Sequence, residues 1–187
     1  MSATDRLLLG AFAGIAATCA MTAAARAMHR RLPAAERYSL PPREIVEGGL
    51  PATTKRSLAE HGRQTATIAA HFGYGAVTGA LYALAAPKGS ILSGAAYGVL
   101  VWAVSYFGIL PGLRILQPAH DHPGRRNALM IAAHLVWGST LARTLRDLEF
   151  AGREIFAGDV APDATAFGPV DEARARLATL ADAPGDD

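Results

Sequence analysis

Charge is segregated along this chain. Leu7 to Ala25, Gln64 to Pro87, Gly89 to Leu113 and Asn127 to Ala142 contain no Asp, Glu, Lys or Arg, and the segments between and after them hold nearly all the ionisable residues. A helix that crosses a bilayer needs about 20 apolar residues at about 1.5 Å of rise each. The first three runs meet that length, and the fourth meets it once Arg125, Arg126 and Arg143 extend their charged ends out of the apolar layer. The pattern predicts an all-α integral membrane four-helix bundle. Its spans fall at about 7–25, 64–87, 89–112 and 127–145, within a transmembrane domain of residues 1–146. Residues 147–187 are acidic and rich in Ala, Gly and Pro, and are expected to form a mobile C-terminal tail with a weak helix over Glu172 to Leu180.

Composition alone would point elsewhere. A chain of 187 residues with 51% hydrophobic content suits one soluble domain. Four helices apolar on every face, however, need more protein than this chain contains to cover them. The N-terminal run resembles a signal peptide, but it is long and Arg26, Arg30 and Arg31 follow it directly, so an uncleaved first span is expected. Residues Arg26 to Arg63 hold eight of the eighteen Lys and Arg. The loops after spans one and three carry eleven, against seven elsewhere, which predicts both larger loops inside and both termini outside the cytoplasm. Arg143 and Arg146, at the outer end of the last span, oppose that orientation.

Local signals subdivide the chain further. Leu40-Pro-Pro-Arg-Glu-Ile-Val-Glu-Gly-Gly49 reads as a short helix begun by proline and ended by glycine. It is either a membrane-surface helix with Ile45 and Val46 dipping in and Arg43 at the headgroups, or a plain connector. Ser57-Leu-Ala-Glu60 has capping-box spacing and predicts a helix start near Ser57. Lys88-Gly89 leaves room only for a tight antiparallel hairpin, and Pro111 is expected to end span three. Cys19 is the only cysteine, so no disulfide forms within one chain, and it is expected as a small packing residue.

Glycine pairs recur at a spacing of four: Gly10 and Gly14, Gly75 and Gly79, Gly94 and Gly98, with Gly138 alone in the last span. Small residues at this spacing let two helix backbones approach closely. His71-Phe-Gly-Tyr-Gly-Ala-Val-Thr-Gly79 returns in shortened form as His134-Leu-Val-Trp-Gly138. Aligned on these motifs, the chain reads as a helical hairpin used twice, both copies beginning on the same side of the membrane.

The order of motifs is G-x-x-x-G with a following Met, then L-P-P-R-E, H-F-G-Y-G-x-x-x-G-x-x-Y, G-x-x-Y-G-x-x-x-W-x-x-S-Y, L-P and H-x-x-W-G. In this it resembles the YagU-like family of bacterial inner-membrane proteins, over about Leu7 to Leu145. That family is largely of unknown function, so the resemblance implies a membrane location and a fold but no reaction.

His71 and His134 are the central polar feature, at similar depth in their spans, with Tyr74, Thr78 and Trp137 beside them. Three readings compete. Each neutral imidazole can hydrogen-bond a neighbouring helix and fix packing, at about 0.6 to 2 kcal/mol per contact. The pair, with Tyr74, Thr78, Tyr82 and Ser105, can form a proton or small-solute permeation path, since ionisable groups inside a membrane mark such routes. Or His71 and His134 can be the axial ligands of a b-type haem in an electron-transfer subunit. His120-Asp-His122 is a weak metal candidate, lacking third and fourth ligands. With no phosphate-binding glycine loop, nucleophile elbow, C-x-x-C or H-E-x-x-H, no enzyme is expected. Basic residues in the first loop alternate with Glu36, Glu44, Glu47 and Glu60, so lipid rather than nucleic acid is the expected partner, with a homo-oligomer or a membrane-protein partner allowed by the small-residue faces.

Overall fold

The computed structural model describes residues 2–33, 41–86 and 89–154; the Lys88 turn and residues 155–187 of the expected tail lie outside them, while its first residues, 147–154, continue the last helix. The described residues up to Glu149 belong to one compact unit. The described residues form helices and no strand: α1 (Ala3–His29), α2 (Pro41–Gly49), α3 (Ala52–Ser57), α4 (Glu60–Ala85), α5 (Ile91–Val104), α6 (Leu110–Gly112) and α7 (Gly124–Glu154). Four helical stretches are long and apolar enough to cross a membrane: Ala3–Arg30, Glu60–Ala85, Ile91–Gly112 and Gly124–Gly152. Their outward faces are apolar. Phe12, Ile68, Leu81 and Leu100 are exposed, and Leu92 is 79% exposed, a surface suited to lipid rather than water. The protein is a multi-pass helical membrane bundle.

Helix starts follow side-chain chemistry. Ser2 accepts from the Asp5 backbone N–H at 3.1 Å while its own N–H donates to Asp5 at 2.8 Å, a capping box that opens α1. Ser90 and Ser93 repeat the arrangement at α5. The box expected at Ser57 does not form. Ser57 is the last residue of α3, its hydroxyl donates to the Thr54 carbonyl at 3.1 Å, and α4 begins at Glu60 behind an Ala59 that caps nothing. Leu58, extended between the two helices, breaks the continuity that a capping box needs.

Span three ends at Gly112, as expected, but its last turns are not regular α-helix. One π-helical turn, Ser105–Ile109, is inserted, with the Leu110 N–H donating to the Ser105 carbonyl, and the helix runs on through Gly112. Proline lacks the N–H that would meet a carbonyl one turn back, and a π turn is a known way to absorb such a defect without breaking a helix. The stop comes at Arg114, in the left-handed region at φ 57°, where the Ile115 N–H bonds the Leu110 carbonyl at 2.9 Å.

Two helix crossings hold the bundle together. In α1 against α4, Gly10 faces Gly79 and Ala83, and Gly14 faces Gly75 and Gly79. In α5 against α7, Gly94 faces Gly138 and Ala142, and Gly98 faces His134 and Gly138. At all four positions an added Cβ would run into the partner helix, at 2.6 Å from the Ala83 Cβ in the case of Gly10. The hairpin is therefore used twice, but in a register the motifs do not show. Gly138 corresponds to Gly79, not to Gly75, and the position matching Gly75 is His134. His71 and His134 are thus not equivalent residues of the repeat.

Candidate functional site

The two pairs meet through aromatic and hydroxyl side chains. Trp137 of α7 donates its indole N–H to Thr18 of α1 at 3.2 Å, and Tyr97 of α5 donates to the Thr78 carbonyl of α4 at 2.8 Å. Tyr82, Tyr97 and Trp137 pack ring against ring at 5.1 and 6.1 Å, joined by the buried Ala13, Ala17, Ala83 and Leu141. This end of the bundle is closed. Toward the other end a cavity of about 810 Å³ is lined by α1, α2, α4, the α5–α6 segment and α7.

Each wall of the cavity has a distinct source. Thr18, Thr78 and Trp137, all buried, form its closed end. Met21, Ala25, Val101 and Met130 contribute apolar sides, and Ile45 and Val46 of α2 form a floor. Ile68 and Tyr74 on one lip and Ile109 and Leu113 on the other are exposed outward as well as lining the cavity, so it opens sideways onto the lipid-facing surface. The π turn sits on that lip. α2 therefore does not lay Ile45 and Val46 into a membrane surface; they turn inward to the cavity. Arg43 is tied to Glu60 at 2.7 and 3.0 Å and to Glu47 at 2.9 Å, and these hydrogen bonds, the Glu60 pair foremost, hold its proton more firmly than in a free arginine. Glu44 pairs with the buried Arg126, so α2 is fastened to α4 and α7 by charge.

Both imidazoles line this cavity. His134 has its Nδ1 at 2.8 Å from the Met130 carbonyl, which can only accept, so Nδ1 carries the proton and Nε2 is left with a lone pair. His71 has its Nε2 at 3.2 Å from Thr22 Oγ1. Thr22 already donates its hydrogen to the Thr18 carbonyl at 2.7 Å, so His71 is the donor and its Nδ1 lone pair remains. In the repeat register His134 matches Gly75, which places His71 one helical turn, about 6 Å along the axis, from that level.

The other expected site residues separate into two groups. Tyr74 belongs to the site: its hydroxyl lies 2.9 Å from Ser105. Thr78 and Trp137 sit at the closed end. Tyr82 does not join them, since it bonds Ser93 at 2.9 Å in the closed half, which breaks the expected relay. Cys19 is exposed on α1 and fills no packing role. His120 stacks on Phe107, and His122 sits edge-on to Tyr106 with its Nε2 3.1 Å from the Gln117 carbonyl. Among the described residues no group of three or more His, Cys, Asp or Glu is placed to hold a metal ion. The donor set fits a haem poorly. Thr22 engages the Nε2 of His71, the nitrogen an axial ligand would use, and the register offsets the two rings by a turn. Sequence reasoning missed the contributions of Thr22, Thr18 and the π turn; the stripe Gly10, Gly14, Thr18, Thr22 was visible, but its partner was not.

A family model described as a protein of unknown function (DUF1440) matches residues 10–143. The chain belongs to the DUF1440 family. The DUF1440 match begins at Gly10 and ends one residue past Ala142, so it takes in both glycine crossings and the whole cavity wall. No curated protein and no solved structure matches the chain.

Proposed function

We propose that this DUF1440 protein is a membrane-embedded binding module that takes a small lipid-soluble molecule from the bilayer through the opening beside Tyr74 and Ile109. His71 and His134 form the polar end of the site. The observation that carries the reading is the cavity itself: its volume lies within the range of small-molecule sites, its sides are apolar, and it is closed at Thr18, Thr78 and Trp137. A proton or solute path across the bundle would have to pass the Tyr82, Tyr97 and Trp137 cluster and two crossings where backbones touch. Binding accounts for a blind cavity better than permeation does, and better than packing alone, which needs no cavity. The glycine faces that would serve a homo-oligomer are used within the bundle. The YagU-like motif order and the Lys and Arg excess on the two larger loops support a bacterial inner-membrane location with both termini outside and the cavity in the cytoplasmic half.

The test is native mass spectrometry of the detergent-released protein. Wild type is expected to retain a lipid-soluble molecule that Ala70→Trp, which fills the cavity from an exposed position on α4, displaces without a change in thermal stability. Equal retention by both proteins, or an empty wild type that conducts protons in proteoliposomes, overturns the reading.

A further inference from the structure

Around the two imidazoles the hydrogen-bond donors are already committed within the protein. Thr18, Thr22, Thr78 and Ser105 each donate to a backbone carbonyl one turn back, at 2.7 to 2.8 Å. Because Ser105 is so engaged, Tyr74 must be the donor in its 2.9 Å contact with Ser105. The Trp137 indole and both imidazole N–H groups are likewise taken, by Thr18, Thr22 and the Met130 carbonyl. What these residues leave toward a ligand is lone pairs, on His71, His134 and the hydroxyl oxygens. No Asp, Glu, Lys or Arg lies in the uncharged runs that carry them, and Arg43, which lines the α2 end of the cavity, is held by Glu47 and Glu60.

The position of these acceptors matters as much as their sign. Thr18 and Thr78 are buried and the two imidazoles part-buried, while the lips of the opening carry Ile68, Ile109 and Leu113 beside Tyr74. A phospholipid or fatty acid keeps its charged head at the interface and could offer only its tail to a polar pocket. The wall instead fits a lipid whose head is uncharged, enters first and donates hydrogen bonds, with an apolar tail trailing into the bilayer. Two imidazole lone pairs about one helical turn apart along the axis call for two donors at opposite ends of a rigid head.

We infer that the cavity binds a lipid-soluble hydroquinone in preference to its quinone, one hydroxyl donating to His134 Nε2 and the other to His71 Nδ1. This rests on the binding reading above and names its ligand class. It is a binding preference and involves no electron transfer. The quinone has the same shape but only acceptors, so it would set carbonyl oxygens against imidazole lone pairs and leave both sides unsatisfied.

The experiment titrates the full chain in detergent with decylubiquinol under anaerobic conditions, decylubiquinone and decanol, following intrinsic tryptophan fluorescence and comparing midpoints rather than amplitudes. The quinol is expected to bind at least about tenfold more tightly than the quinone, the equivalent of one to two hydrogen bonds. His134→Leu is expected to abolish the preference. His134→Gln, whose amide can donate to Met130 and still present an oxygen, is expected to restore most of it, with size-exclusion profiles confirming that both variants fold. Equal midpoints for quinol and quinone, or a preference that survives His134→Leu, overturn the inference and leave the binding reading standing. Failure of all three probes to bind overturns both.

Discussion

The crossing of α1 with α4 and that of α5 with α7 share one geometry and carry different chemistry. Gly10, Gly14 and Gly79 in the first correspond to Gly94, Gly98 and Gly138 in the second, and each meets a partner backbone. One turn farther from the closed end the pairs diverge. The first places Thr18 against Gly75, so its helices stay close enough for Thr22 to reach His71. The second carries Trp102 and His134 at the matching positions, and these bulkier side chains go with a second core of Ala25, Tyr106, Leu110 and Met130. The repeat thus supplies the scaffold, and departure from the repeat supplies the cavity. Small residues were kept where backbones must touch and replaced where an imidazole could face a space.

The largest effects should come where the crossings are alike. Gly14→Leu and Gly98→Leu each drive a side chain into a backbone carbonyl, of Gly75 and His134 respectively, that cannot move without separating the helices. Each is expected to cost about 3 kcal/mol or more and to abolish the monodisperse folded peak in size exclusion. If either variant folds with wild-type thermal stability, the two crossings are not equivalent supports of the bundle.

Smaller substitutions should separate them. An added Cβ at Gly138 meets only backbone: the Gly94 carbonyl, with its carbon at 2.8 Å, and Gly98 N at 3.0 Å. At Gly75 the nearest atom is the Thr18 hydroxyl, which can rotate away at the loss of its bonds to Gly14 and Trp137. Gly138→Ala is therefore expected to cost about 2 kcal/mol and Gly75→Ala about 1 kcal/mol. In a Thr18→Ala background the added Gly75→Ala should cost little, since the obstructing hydroxyl is gone. Thermal unfolding in detergent reads all of these, and a Gly75→Ala penalty that persists without Thr18 would show the two crossings equally rigid.

Much of this fold was legible in the residues because lipid and water sort charge so strongly. Four uncharged runs mark four spans, and the stripe of Gly10, Gly14, Thr18 and Thr22 announces a close helix contact. The partner register was not legible. His71-x-x-Tyr74-Gly75 and His134-x-x-Trp137-Gly138 match by residue type, yet the crossings align by which carbonyl each missing Cβ exposes, and that moves Gly138 one turn to Gly79. Backbone proximity leaves no mark on side-chain order. The π turn had a signal in Pro111, but a proline late in an apolar run is consistent with a stop or a detour, and only packing around Tyr106 and Leu110 decides. Of the site, the two histidines and Tyr74 were visible; Thr22, which orients His71, looked like one more small residue of a packing stripe.

The smallest effect tests the part of the comparison on which the site depends, the opposite tautomers of the two rings. His71 hydrogen-bonds across helices to Thr22 through Nε2, whereas His134 bonds its own helix at Met130 through Nδ1. Nitrogen-15 shifts of the imidazole rings distinguish these states, and wild type should show one neutral histidine protonated at Nε2 and one at Nδ1. Thr22→Val removes an oxygen from a partly lipid-facing position at a cost of about 0.6 kcal/mol, too little to disturb the crossing. It should release His71 to a mixture of tautomers and leave His134 unchanged, since the Met130 carbonyl is fixed by the backbone of α7. A shift in both rings would mean that they act as one hydrogen-bonded unit. A shift in neither would mean that Thr22 does not orient His71, and the site would then lose one of its two imidazole lone pairs.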